Sequence, residues 1–208
     1  MPEAKKLFGD EEVVYIKVAQ GGQPICRWLE EWDDIAKENG LTERDRERLW
    51  KDKGVELYQP ILDQYKEMLK KHPKPASVTF CWMQGERDAN GGGQPAYKDA
   101  LKQLITKLRR DLDRPDMNIV IGRLSDAGQK KESWGAMRKI QMEIANEDPS
   151  GAWVDCDDLN DRMKDGKTQN AVHYERPEGY ITLGRRFARQ GHALVIGKEP
   201  AEDGRPKN

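Results

Sequence analysis

The chain has 208 residues, enough for one α/β domain with a core of its own and few for two. Its 36 basic and 37 acidic side chains leave a net charge of −1, so no global field draws it toward nucleic acid or anionic lipid. Charged residues make up 35% and apolar ones 36%, and no apolar run approaches the roughly 18 residues that a membrane span requires. Neither nucleic acid nor a membrane is expected as a partner.

Met1 is followed by Pro-Glu-Ala-Lys-Lys-Leu and a charged stretch rather than the apolar core of a signal peptide. The first element expected is a buried strand from Val13 to Ala19, a β-branched run closed by Gln20-Gly21-Gly22-Gln23. Glycines after a strand let the backbone present N–H groups to an anion, although a Gly-Gly there is commonly only a turn. From Glu30 to Gly54 charge alternates around Trp28, Trp32 and Trp50, which reads as a helical insertion or a loop over a cleft. The tryptophans either stack on a sugar ring or pack against helices.

A helix follows from Val55 to Lys70, with Leu57, Ile61, Leu62, Tyr65 and Leu69 on one face. The second strand spans Ser77 to Met83 and runs into Trp82-Met83-Gln84-Gly85-Glu86-Arg87-Asp88-Ala89, an amide, carboxylates and a guanidinium gathered around a glycine. Ligands of open parallel sheets bind beyond the carboxyl ends of strands, so this block is a candidate site; a solvated charged loop is the plainer alternative. The remaining series is a helix from Tyr97 to Leu112, a strand from Asn118 to Leu124, a helix from Trp134 to Ala145, a strand from Ala152 to Cys156 and a helix from Tyr180 to Val195. Strands alternating with helices imply βαβ units and a mostly parallel sheet. The domain is expected over residues 1–197, with 198–208 a disordered or linker-like tail.

Three cysteines, Cys26, Cys81 and Cys156, lie far apart without CxxC spacing and read as buried thiols. His72 and His192 read as surface or structural residues. His173 differs, because Asn170-Ala171-Val172-His173-Tyr174 stands just before a helix opened by Pro177 and Glu178, and a histidine on such a loop can act as a general base. The histidines lack HxxxH spacing, so no metal and no other cofactor is expected.

Three blocks together carry a resemblance: Val-Ala-Gln-Gly-Gly at 18–22, Trp-Met-Gln-Gly-Glu-Arg-Asp-Ala at 82–89, and Val-His-Tyr at 172–174 followed by Glu-Gly-Tyr-Ile-Thr-Leu-Gly-Arg-Arg-Phe-Ala at 178–188. From about residue 5 to about 196 the chain resembles the sialate O-acetylesterase and acetylxylan-esterase-like branch of the SGNH (GDSL-like) hydrolases. The resemblance implies a flavodoxin-like three-layer α/β/α sandwich and acyl transfer from an acetylated carbohydrate, without a cofactor. In that chemistry a serine attacks the acetyl carbonyl, a histidine takes its proton, a carboxylate orients the histidine and N–H donors hold the oxyanion. It implies His173 as base, Gly21 and Gly22 at the oxyanion position, and Gln84, Gly85 and Glu86 around the acetyl pocket.

Two departures qualify it. The family's serine stands in a Gly-Gln-Ser-Asn or Gly-Asp-Ser block upstream of the glycine pair, and nothing here matches that block. The four serines, Ser77, Ser125, Ser133 and Ser150, all lie downstream, and the match gives Ser125 no nucleophilic role. The strand carrying the serine would lie between those at 13–19 and 77–83, which without it would stand about 9.5 Å apart, two strand spacings. The expectation is therefore an inactive chain missing its first strand: a C-terminal fragment, or a reading frame begun too late, whose complete form is exported. The alternatives are a pseudoenzyme in which those two strands pair directly, and a catalytically dead carbohydrate-binding or structural module.

The second departure is Asn170, where the family has an aspartate. Asparagine carries no charge and can favour the wrong imidazole tautomer, a change that costs about 10⁴ in kcat in a serine protease triad. Glu86 is the candidate replacement carboxylate, or Asp165 if the loop from Gly166 to Ala171 folds back.

Overall fold

The computed structural model describes residues 2–50, 56–164, 167–174 and 177–205. Along the chain these form α1 (Pro2–Phe8), a 3-10 turn (Ile25–Trp28), α2 (Trp32–Glu38), α3 (Glu43–Trp50), α4 (Gln59–Lys71), β1 (Thr79–Trp82), α5 (Glu86–Gly91), α6 (Gln94–Asp111), β2 (Asn118–Gly122), a second 3-10 turn (Asp126–Gly128), α7 (Glu132–Glu147), β3 (Gly151–Val154), β4 (Asp161–Lys164), β5 (Lys167–Asn170) and α8 (Pro177–Val195). They divide into two compact units, one of Met1–Val13, Thr79–Met83 and Asn118–Asn208, the other of Val14–Val78 and Gln84–Met117.

The first unit holds an all-parallel sheet in the order β1-β2-β3, an α/β arrangement of the flavodoxin-like kind. The central strand β2 is buried throughout, as a strand covered on both faces must be. One pleat carries Val120, Ala152 and Val154, packed by Leu183, Phe187 and Leu194 of α8. The opposite pleat carries Ile119, Ile121 and Trp153; Trp153 shares a groove with Met142 and Ala145 of α7. A side chain at Gly122 would lie 2.3 Å from Met83 Sδ and 2.9 Å from Phe187, so glycine is what lets α8 approach β2 closely. α1 also packs on α8. Beyond β3, Asp155 N donates to Asp203 O at 2.8 Å, and Gln190 Nε2 donates to both Trp153 O and Ala201 O. The described part of the expected tail, 198–205, thus forms no helix or strand but is hydrogen-bonded along the β3 edge.

The second unit is helical. In α6, Pro95 opens the first turn and Tyr97, Leu101, Leu104, Ile105 and Leu108 recur at helical spacing; all five are buried, each worth about 1.5–3 kcal/mol. α2 lies against α6. Trp28 and Trp32 are core residues, 5% and 0% exposed, so the packing reading holds for them and a sugar platform does not.

Residues 12–20 form no strand, and Val14, Tyr15 and Ile16 are 44%, 53% and 37% exposed. β-Branched composition favours a strand only where a neighbour offers a ladder, and no described strand pairs with this run, β1 included. The expected loop before His173 is largely an antiparallel hairpin, with Asp161 opposite Asn170 and Lys164 opposite Lys167. Cys26 and Cys156 are buried as expected, whereas Cys81 is exposed, on the pleat of β1 opposite the buried Trp82.

Candidate functional site

Five of the predicted residues lie in the helical unit. Gly21 and Gly22 form an exposed turn, with Gly22 at φ +68°, a conformation that favours glycine. Nothing approaches within 4 Å of where a side chain at either would sit, so the backbone there is open to a ligand. Gln23 Nε2 donates back to Gly21 O at 3.2 Å. Gly85, at φ 140°, ends the chain's approach to α5, whose first turn is Glu86-Arg87-Asp88. Glu86 is half-buried there.

Gln84 is nearly enclosed, 8% exposed. Its Nε2 donates to Gln23 O at 2.9 Å and to Asp88 Oδ2 at 2.5 Å, and its Oε1 accepts from Tyr97 Oη at 3.0 Å. Asp88 also accepts from Ile25 N, at 3.0 Å through Oδ2 and 3.3 Å through Oδ1. Burial pushes its carboxyl up to about 7, against the pull of the bonds from Gln84 and Ile25; the charge of Glu86 pushes the same way as burial. The sequence reading passed over Asp88. Its fully buried position shows only once Ile25, 63 residues away, is brought beside it.

His173 and Asn170 lie in the sheet-containing unit. His173 is exposed, in a bend between β5 and α8. The chain just before it is anchored: Ala171 N donates to Asn160 O at 3.1 Å, and Ala171 O accepts from Asn160 Nδ2 at 2.7 Å and from Ser125 Oγ at 3.3 Å. After it, Tyr174 packs edge-on to Tyr180 with ring centroids 4.9 Å apart. A side chain at Gly179 would meet Tyr174 Cβ at 2.9 Å, which gives the Glu-Gly-Tyr run a packing reason. Asn170 stands at the end of β5, paired in register with Asp161. Asp165 and Gly166 lie outside the described residues.

Beyond the carboxyl ends of β2 and β3, in the same unit, is an ionic network that the sequence reading missed. Arg123 bonds Asp155 and Asp157, Arg138 grips Asp157 through both oxygens at 2.7 Å, and Arg186 grips Asp158 at 2.6 and 2.7 Å. Arg205 reaches Asp155 from the tail. Burial alone would raise the Asp155 carboxyl, but Arg123 and Arg205 hold it below the usual range; the bond from Arg186 lowers Asp158. Each of the four arginines has a carboxylate partner among the three aspartates, so the network braces the loops after the strands. Among the described residues no group of three or more His, Cys, Asp or Glu is placed to hold a metal ion, and no helix is long and apolar enough to cross a membrane.

None of the curated proteins compared with the chain matches it. Compared with models of known families, residues 3–192 match the family described as carbohydrate esterase, sialic acid-specific acetylesterase. That span covers nearly the whole sequence and contains the Gly-Gly turn, the Gln-Gly-Glu block and the His173 loop, and on this ground the chain belongs to the sialic acid-specific acetylesterase family of carbohydrate esterases.

Proposed function

We propose that this chain is a carbohydrate O-acetylesterase domain whose site binds an acetylated sugar, with His173 as general base and the Gly21–Gly22 turn at the acyl oxygen. Gln84, Gly85 and Glu86 line the acetyl pocket, and Glu86 or Asn170 orients the imidazole. The observation that carries this reading is the family match across 3–192, which takes in all three blocks. The exposed His173 on an anchored loop and the open space over Gly21 and Gly22 support it.

The nucleophile is not among the chain's own serines on this reading. Ser125 is 3% exposed and its hydroxyl is directed at Ala171 O. Ser133 is a residue of α7, and Ser150 sits in the turn that feeds β3, its O accepting from Ile119 N. These residues by themselves then bind substrate without turning it over. Asn170 in place of an aspartate favours the second reading, a non-catalytic carbohydrate-binding module, because it removes the charge that steadies an imidazolium.

The test is acetyl release from O-acetylated sialic acid and acetylated xylan, run beside calorimetric binding of the same glycans and of their deacetylated forms. Saturable binding that needs the acetyl group, with no release, is expected. Turnover abolished by His173→Ala would keep the chemistry and return the nucleophile to one of the four serines. A folded chain that shows no binding and no release would overturn the proposal.

A further inference from the structure

Asp88 is 0% exposed, and among the described residues no cation pairs with it. A buried carboxylate without a counter-charge is costly unless hydrogen bonds satisfy it, so its partners show what it does there. They are two, the backbone N–H of Ile25 and the side-chain amide of Gln84.

A glutamine amide has two N–H donors. In Gln84 one goes to Asp88 and the other to Gln23 O, while Tyr97 Oη, itself buried, supplies a donor to Oε1. Both donors are therefore directed into the protein. The amide has no N–H left for a developing oxyanion, yet it grips the carbonyl of the residue next to Gly22. Asp88 meanwhile grips the N–H of Ile25. The end of the Gly21–Gly22–Gln23 turn that leads into the first 3-10 turn is thus held at two points by one buried acid, directly and through Gln84. Space on the outer side of both glycines is open. Gly93 completes the seat, since a side chain there would lie 2.9 Å from Asp88 Oδ1.

We propose that Asp88 is a positioning residue: through Gln84 and Ile25 it fixes the Gly21–Gly22 turn, so that backbone N–H groups rather than the Gln84 amide meet the acyl oxygen. The identity of that oxygen rests on the acetylesterase reading; the positioning does not. Preorganised backbone donors of this kind act at the charge that forms in the transition state.

Amide hydrogen exchange and ¹⁵N relaxation on the intact chain test it. Asp88 Oδ2 accepts from both Gln84 Nε2 and Ile25 N, so an asparagine oxygen in its place can keep both bonds; Asp88→Leu leaves no acceptor and both grips are lost. Exchange at Ile25 is expected to rise about tenfold or more, the loss of one buried hydrogen bond, with Gly22 gaining fast motion and Val120 in β2 unmoved. The double variant Gln84→Glu with Asp88→Asn restores a donor–acceptor pair with the roles exchanged but leaves no donor for Gln23 O. Melting temperature and Ile25 protection are expected to recover while Gly22 stays mobile, a split that a merely structural role would not produce. Uniform acceleration at Ile25 and Val120, or an unchanged Gly22, would overturn the proposal. Should Asp88→Leu leave the chain unfolded, Tyr97→Phe carries the same readout, since it removes the hydroxyl that donates to Gln84 Oε1 and Gln84 O and so loosens the amide that grips Gln23 O. A separate titration with sodium acetate, followed at the Gly22 amide, isolates the functional reading. A turn loosened by Asp88→Leu that never responds to acetate would count against the acetyl pocket and leave the positioning role intact.

Discussion

Asn160 and Ala171 hold each other in both directions: Ala171 N donates to Asn160 O at 3.1 Å, and Asn160 Nδ2 donates to Ala171 O at 2.7 Å. Asn160 is 0% exposed, and the same amide reaches Asp126 Oδ1 at 3.0 Å. The pair ties the turn between β3 and β4 to the chain two residues before His173. Asn160→Ala removes the side-chain half and leaves Ala171 O the long bond from Ser125 Oγ, at 3.3 Å. A loss of about 1 kcal/mol is expected from the missing hydrogen bond to a half-buried carbonyl, read by urea unfolding. Faster exchange should be confined to 171–174 and the turn at 125–128. Unaltered exchange at 171–174 would show that the loop is held by something else.

Asp88 and the pair Asp155 and Asp158 are displaced in opposite directions, and the signs separate in a pH titration of stability. Asp88 titrates near 7 in the fold against about 3.9 unfolded. The native state therefore holds its proton longer, and this group's contribution is present at low pH and lost as pH rises from about 4 to 7. Asp155 and Asp158 are held below their ordinary values, so their contribution is present above about pH 4 and lost as pH falls through their folded range. Urea unfolding between pH 5 and 7 should show a stability that declines with pH in the wild type by at most about 1.4 kcal/mol per unit from this one proton. In Asp88→Asn that decline should be missing, whatever the variant's absolute stability. Parallel profiles for the two proteins would refute the assignment.

Much of the sheet was legible in the sequence because its strands are short β-branched runs closed by glycine or polar residues. Asn118-Ile119-Val120-Ile121-Gly122 is such a run, and its burial on both faces follows from composition. The same composition at Val13 to Val18 misled, because pairing is decided by a neighbour that composition does not contain. The hairpin of β4 and β5 was illegible for the converse reason: Asp-Arg-Met-Lys and Lys-Thr-Gln-Asn have no apolar alternation to mark strands. In the candidate site, the residue types of the Gln-Gly-Glu block were visible, but which carboxylate is buried was not. Glu86 and Asp88 are two residues apart in one helical turn, and only the fold puts Ile25 and Gln84 against the second.

Two helical glycines make a matched pair that tests the packing around His173. Alanine is favoured over glycine inside a helix by about 0.8–1 kcal/mol, so the outcome turns on what the added methyl meets. At Gly135 in α7 it meets nothing within 4 Å, and Gly135→Ala should stabilise the chain by about 0.5–1 kcal/mol. At Gly179 in α8 it meets Tyr174 Cβ at 2.9 Å and Leu159 O at 3.1 Å. Neither is the far end of a flexible side chain, so overpacking of about 1–3 kcal/mol outweighs the helical gain. Gly179→Ala should lower the melting temperature and displace Tyr174 from Tyr180, seen as a change in their ring resonances. Because Tyr174 follows His173 directly, the His173 imidazole signals should move with it, while Gly135→Ala leaves them in place. Stabilisation by Gly179→Ala equal to that at Gly135 would mean that the ring pair does not seat this loop.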